Sequence, residues 1–149
     1  MTKLLAIVGQ TASGKSSLAM RVAKQFDGEI IAADSRTVYK GLDIGTAKPT
    51  VDDMQQVRHH TIDVVDYGQS FTVADFKRLA HQAIFDIQER GKLPMLVGGS
   101  GLYLNSVLYD YELGGPADEG MRRELSGLTV HELQRRIVQT GIEMPENSP

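Results

Sequence analysis

The chain has 149 residues, 41% of them hydrophobic and 23% charged, with a formal net charge of −3 and no cysteine. That length suits one domain with its own core and is too short for two of ordinary size; the balance excludes a disordered tail, and no apolar stretch approaches the roughly 20 residues a bilayer requires. The absence of cysteine leaves no disulfide framework and no thiolate metal site, the N-terminus lacks a signal-peptide layout, and the two together point to the cytoplasm, while the slight acidity argues against a strongly basic nucleic-acid-binding surface.

The chain opens on Leu4-Leu5-Ala6-Ile7-Val8, a continuous apolar run that reads as a buried parallel strand. Gly9-Gln10-Thr11-Ala12-Ser13-Gly14-Lys15-Ser16 follows, with the spacing G-x-x-x-x-G-K-[ST] of a phosphate-binding P-loop. The pattern also arises by chance in glycine turns, so its setting decides. Here residues 16–26 continue with helical spacing, placing Leu18, Ala19, Val22, Ala23 and Phe26 on one face. A helix starting there leaves its first N–H groups unpaired at the positive end of its dipole, which selects an anion. Lys15 adds a mobile positive charge for the terminal phosphates, and the Ser16 hydroxyl is placed to ligate a Mg2+ ion bridging them.

Asp27-Gly28 stops this helix, and residues 29–33 read as a second buried strand that delivers Asp34 to the carboxyl edge of the sheet, where open α/β folds bind ligands. A loop-capping role for Asp34 stands beside a functional one. Residues 35–50 form a long glycine-rich loop, 51–57 a short helix and 59–64 a third strand. His59, His60 and Asp63 do not make a metal set, because adjacent strand residues face opposite ways. Thr72, with Asp75 three residues on, caps a helix whose Val73, Phe76, Ala80, Ala83, Ile84 and Ile87 share one stripe and which ends at Gly91. Residues 93–97 form the next buried strand, Gly98-Gly99-Ser100-Gly101 a second glycine-rich turn at the same edge, and 102–108 the start of another helix.

Gly114-Gly115-Pro116 breaks the chain; amphipathic stretches at 118–125 and 129–140 and an unstructured tail at 145–149 follow. Strands alternating with helices predict an α/β fold, a mostly parallel sheet flanked by helices, over residues 1–113, with a short helical C-terminal remnant over 114–149. The P-loop, the loop that opens at Asp34 and the turn around Ser100 converge on one edge. Any diphosphate leaving group is stabilised by the same N–H groups, lysine and metal that hold a nucleotide, and a carboxylate opposite it can take a proton from an attacking hydroxyl or amine.

The wording of the motifs narrows this further. The P-loop, then Ala33-Asp34-Ser35-Arg36-Thr37-Val38-Tyr39-Lys40-Gly41-Leu42-Asp43-Ile44-Gly45-Thr46-Ala47-Lys48-Pro49, His59-His60-Thr61-Ile62-Asp63, Val73-Ala74-Asp75-Phe76 and Leu96-Val97-Gly98-Gly99-Ser100-Gly101-Leu102-Tyr103-Leu104 closely resemble tRNA dimethylallyltransferases, the IPP transferase family, in motif content and order. The resemblance implies a P-loop NTPase-like fold and transfer of a dimethylallyl group from dimethylallyl diphosphate to the exocyclic amine of the tRNA adenosine 3′ of the anticodon, with Mg2+. On that pattern Gly9 to Ser16 hold the departing diphosphate, and Ser16 its metal. Asp34 is the general base, acting with Lys15 and Ser100. Ser35, Arg36 and Thr37 touch the tRNA, Ser100 standing where the family usually carries a threonine that does the same, and Arg122 matches a further tRNA contact.

Two departures stand out. Gln10 replaces the proline usual after the first glycine, and family members run to about twice this length, so the resemblance implies a chain without the returning C-terminal part and most of the tRNA-gripping insertion. From Pro116 onward four arginines face six acidic residues, no basic clamp, so the tRNA anticodon arm is expected to bind weakly and the chain to be a monomer or weak dimer, away from any membrane. Three alternatives remain open from the residues alone: a prenyltransferase for free adenine nucleotides, an ATP-binding small-molecule kinase, and a truncated diphosphate-binding protein without activity of its own. The methionines and Tyr103, Tyr109 and Tyr111 are expected to serve as core and rim packing rather than as base-stacking platforms; if one tyrosine stacks on a base, it is Tyr103 or Tyr39 near the site edge.

Overall fold

Each apolar run in the first hundred residues feeds a helix, and the helices return the chain so that every strand runs the same way. The computed structural model describes residues 3–111, 113 and 118–141. Its elements are β1 (Leu5–Val8), α1 (Lys15–Phe26), β2 (Gly28–Ala33), α2 (Val51–Gln56), β3 (His59–His60), α3 (Val73–Glu89), β4 (Leu93–Gly98), α4 (Gly101–Leu108), α5 (Glu119–Ser126) and α6 (Val130–Gln139). The sheet is wholly parallel, in the order β1-β4-β2-β3, with Ile31 opposite Leu96 and Ile30 opposite both Met95 and His59. Strand alternation divides the core into two layers. Ile31, Ala33 and Leu96 pack with Phe76, Ala80 and Ile87 of α3 and Leu104 of α4, while Ile30, Met95 and Val97 pack with Ala19 and Ala23 of α1.

The capping chemistry falls where the sequence puts it. Thr72 and Asp75 exchange bonds in a complete capping box at the start of α3, and Thr50 with Asp53 does the same for α2. Two expectations need correction. The run at residues 4–8 is not a buried strand: β1 pairs only with β4, stands at the edge of the sheet among the described residues, and leaves Val8 59% exposed. The third strand does not extend over 59–64 but stops at His60, because Thr61 and Asp63 take left-handed backbone (φ 63° and 54°) and turn the chain away. Residues 35–50 hold no helical turn; a single parallel bridge between Tyr39 and Val65 pins the start of that loop instead.

Opposite the carboxyl edge, Glu29 is 3% exposed yet ionic. Its Oε2 lies 2.7 Å from His60 Nε2, 2.6 Å from Arg90 and 4.0 Å from Arg58. Burial alone would raise the carboxyl; the bond from His60 and the charges of Arg90 and Arg58 outweigh it and hold the group below its ordinary 4.5. A depressed carboxyl contributes stability that is complete above the unfolded value and is lost as pH falls through the folded one. The melting temperature should therefore drop as pH is lowered from about 5 to about 3, and Glu29→Gln, less stable at neutral pH, should show a flatter profile over that span.

The chain forms two compact units, residues 1–113 and 114–149. In the second, Asp118 caps α5 by accepting from Gly120 and Met121, Thr129 and Glu132 form a capping box on α6, and Arg136 meets Glu124 at 2.6 Å. Its helices leave Met121, Val130 and Val138 exposed. The break at 114–116 and the tail at 145–149 lie outside the described residues. Among the described residues, no helix is long and apolar enough to cross a membrane.

Candidate functional site

The loop between β1 and α1 is shaped for an anion by its backbone. Ala12 and Gly14 take left-handed conformations (φ 65° and 80°), Ser13 N–H donates to Gln10 O at 3.2 Å, and α1 starts from Gly14 with no side-chain cap. Its first N–H groups are consequently free to face a ligand, at the positive end of the helix dipole. Lys15 reaches back to Gln10 O at 3.1 Å, so its ammonium lies over the loop. Ser16, next on α1, is exposed and its hydroxyl has no protein partner among the described residues.

Asp34 leaves β2 on the same face as Ile30 and Ala32, toward α1. One carboxylate oxygen, Oδ1, accepts from Arg36 N–H at 2.8 Å and Thr37 N–H at 3.4 Å, which caps the loop; Oδ2 has no protein partner among the described residues. Asp34 thus performs the loop-capping role with one oxygen and presents the other to the cleft. Ser100, at the start of α4, accepts from Ser35 N–H through its hydroxyl at 3.2 Å and donates its own N–H to Ala33 O at 3.3 Å, tying the second glycine turn to the backbone on either side of Asp34.

Two cavities meet at these groups. One, of about 430 Å3, runs between α1 and β2, with Lys15, Ser16 and Asp34 near the sheet edge and Met20, Ile30 and His59 farther in. The other, of about 580 Å3, is bounded by Gln10, Thr11, Ser35, Arg36, Thr46 and Ser100. Lys15, Asp34 and Ala47 line both. The structure therefore gathers the P-loop, Asp34, Ser35, Arg36 and Ser100. Thr37 is 2% exposed, lines the first cavity, and spends its N–H and hydroxyl on Asp34. Arg122 is on α5 in the second unit, where its carbonyl accepts from Ser126. Tyr103 stacks on Phe76 in the core at 4.2 Å, while Tyr39 is half-buried beside Val65.

Sequence reasoning passed over Lys48. Its side chain is 6% exposed, and its ammonium holds Asp43 at 2.6 Å, Asp63 at 2.7 Å and Tyr39 O at 3.2 Å. These bonds pin the loop that forms the wall shared by the two cavities and hold the amine above its ordinary range, the carboxylates outweighing burial. A lysine between an alanine and a proline carries no visible signal of this; only Asp43 at i−5 hints at a clasp. His59 reads from the sequence only as a strand residue, and its place in the cavity follows from its pairing with Ile30.

Comparison with known proteins places this arrangement. The IPP transferase family model matches residues 37–144. The chain is 48% identical to a tRNA dimethylallyltransferase of an Exiguobacterium species over 93% of its own length and 46% of the relative's. It is 53% identical to that of Halalkalibacterium halodurans over 83% of its length and 40% of the relative's. The crystal structure of the full-length tRNA isopentenylpyrophosphate transferase of Bacillus halodurans superposes with a TM-score of 0.74 at 47% identity, over 94% of this chain and 48% of that one. The chain thus spans about half the length of the relatives it matches. With its two cavities meeting at a P-loop lysine and an aspartate, and with these matches, the chain belongs to the IPP transferase family of tRNA dimethylallyltransferases.

Proposed function

We propose that this chain carries the reaction centre for moving a dimethylallyl group from dimethylallyl diphosphate to the exocyclic amine of the tRNA adenosine 3′ of the anticodon. The observation that carries this is the sharing of Lys15 and Asp34 between the two cavities. A donor in the narrower cavity and an acceptor base in the wider, more polar one would meet between an ammonium and a carboxylate. The P-loop N–H groups and Lys15 hold the diphosphate as negative charge builds on it, which lowers the barrier to breaking the allylic C–O bond. Asp34, through its unengaged Oδ2, orients the amine and accepts its proton as the C–N bond forms. Ser100 holds the Asp34–Ser35 backbone in place, and Ser35 and Arg36 are placed along the wider cavity to meet RNA.

The donor set fits Mg2+: the Ser16 hydroxyl is a hard oxygen without a protein partner among the described residues, and Mg2+ is commonly held by one or two protein oxygens plus substrate phosphates. When bound, the ion would neutralise charge on the leaving diphosphate. We place the reaction in the cytoplasm, with the chain a monomer or weak dimer and Arg122 a further RNA contact.

Labelled dimethylallyl diphosphate incubated with an anticodon stem-loop and, separately, with AMP tests this. Label should enter the RNA, and Asp34→Asn, which keeps an acceptor for the loop, should slow transfer at least about a hundredfold with diphosphate affinity unchanged. Labelling of AMP alone would point to a free-nucleotide prenyltransferase; diphosphate binding without transfer to either would leave a binding protein.

A further inference from the structure

The cavity between α1 and β2 is deeper than a five-carbon donor requires. Asp34 marks the level of the reacting amine, and the wall continues inward on the same face of β2 through Ala32 to Ile30. The four steps of parallel strand from Asp34 to Ile30 cover about 13 Å. A dimethylallyl chain has three carbon–carbon bonds along its length, each about 1.5 Å, so with its reacting carbon near Asp34 it ends near Ala32. Val97, the partner of Ala32 on β4, is level with that point, and beyond it the cavity is still lined by Met20 of α1, by Ile30 and by His59.

The far end is also suited to hydrocarbon. His59, opposite Ile30, directs Nδ1 to Val57 O at 2.8 Å, and burial lowers its basicity, disfavouring the charged ring. The nearby Asp53 turns Oδ2 to Thr50, accepting from its N–H and hydroxyl at 3.1 and 2.6 Å in the capping box of α2. Further along, Lys24 of α1 reaches Gln56 of α2 and joins the two helices. Asp53 and Lys24 near this end are thus engaged with partners of their own, and Arg21, which also lines the cavity, is exposed at the surface of α1.

Resting on the donor site proposed above, we infer that this cavity accepts allylic diphosphates of ten carbons, the second isoprene unit lying between Met20 and Ile30 with its end against His59. Transfer from such a donor is the same exchange. The bond from the first carbon to the diphosphate oxygen breaks, its electron pair leaving on the diphosphate, the carbon–nitrogen bond forms, and the amine proton passes to Asp34.

Calorimetric titration of the full chain in Mg2+ buffer with inorganic diphosphate, dimethylallyl S-thiolodiphosphate and geranyl S-thiolodiphosphate tests this without needing turnover. The geranyl analogue should bind at least about tenfold more tightly than the dimethylallyl one, since burying a second isoprene unit removes several CH2-sized groups from water. Ala32→Leu, which fills the cavity halfway down, should bring that ratio to about one or below. Met20→Phe, on the half-buried wall of α1, should do the same if the first variant melts too low to titrate. A geranyl analogue that binds no better than the dimethylallyl one overturns the inference while leaving the donor site standing. If neither analogue binds better than inorganic diphosphate, the donor site itself is misplaced and the inference falls with it.

Discussion

Lys15→Ala should weaken diphosphate binding about a hundredfold, the loss of one charge-assisted contact of roughly 2–3 kcal/mol, while leaving the melting temperature almost unchanged. The two halves of that expectation have one cause. Lys15 extends over the P-loop to Gln10 O and lines both cavities, yet among the described residues it makes no ion pair, so the fold gains little from its charge. An anion at the start of α1 would be met by N–H groups that remain in the variant and by an ammonium that does not. Titration with inorganic diphosphate beside a thermal melt separates the two effects. A variant that binds normally would mean that the backbone cradle alone holds the anion.

Gly98→Ala should destabilise the protein by about 3 kcal/mol, at the upper end of overpacking costs, because no neighbour can yield cheaply. A Cβ at this position would stand 2.1 Å from Ala33 O, 2.6 Å from its carbonyl carbon and 2.8 Å from its Cβ. These are atoms of the adjacent strand immediately before Asp34, so relief of the clash moves the carboxylate as well. Gly101 offers a matched contrast: it begins α4 with nothing within 4 Å of an added Cβ, so Gly101→Ala should shift stability by no more than about 0.5 kcal/mol. Urea unfolding of the two variants reads the difference. Equal costs would show that β4 and β2 are not held as closely as the register Ala33 to Gly98 requires.

What could be read from residues alone was whatever is encoded locally. The P-loop, the Thr72–Asp75 box and the delivery of Asp34 to the sheet edge depend on spacing within a few residues, and each is where the sequence puts it. Strand order is not encoded locally: an apolar run such as Leu4 to Val8 reads the same in the middle of a sheet or at its edge, and here, among the described residues, β1 has a neighbour on one side only. The short β3 escaped because periodicity at 59–64 says nothing of the left-handed turns at Thr61 and Asp63. Lys48 and the inner cavity escaped for a related reason. Asp63 and Tyr39 are far from Lys48 in sequence, and His59 comes to Ile30 only through parallel pairing.

A diphosphate should sit at the start of α1 with its allylic carbon facing Asp34. A crystal grown with dimethylallyl S-thiolodiphosphate and Mg2+ measures that directly. The phosphates should lie within hydrogen-bonding distance of the backbone at residues 11–16 and of Lys15, with the first carbon of the chain between Lys15 and the free oxygen of Asp34. Phosphates bound elsewhere, or an Asp34 carboxylate turned away from the chain, would contradict it.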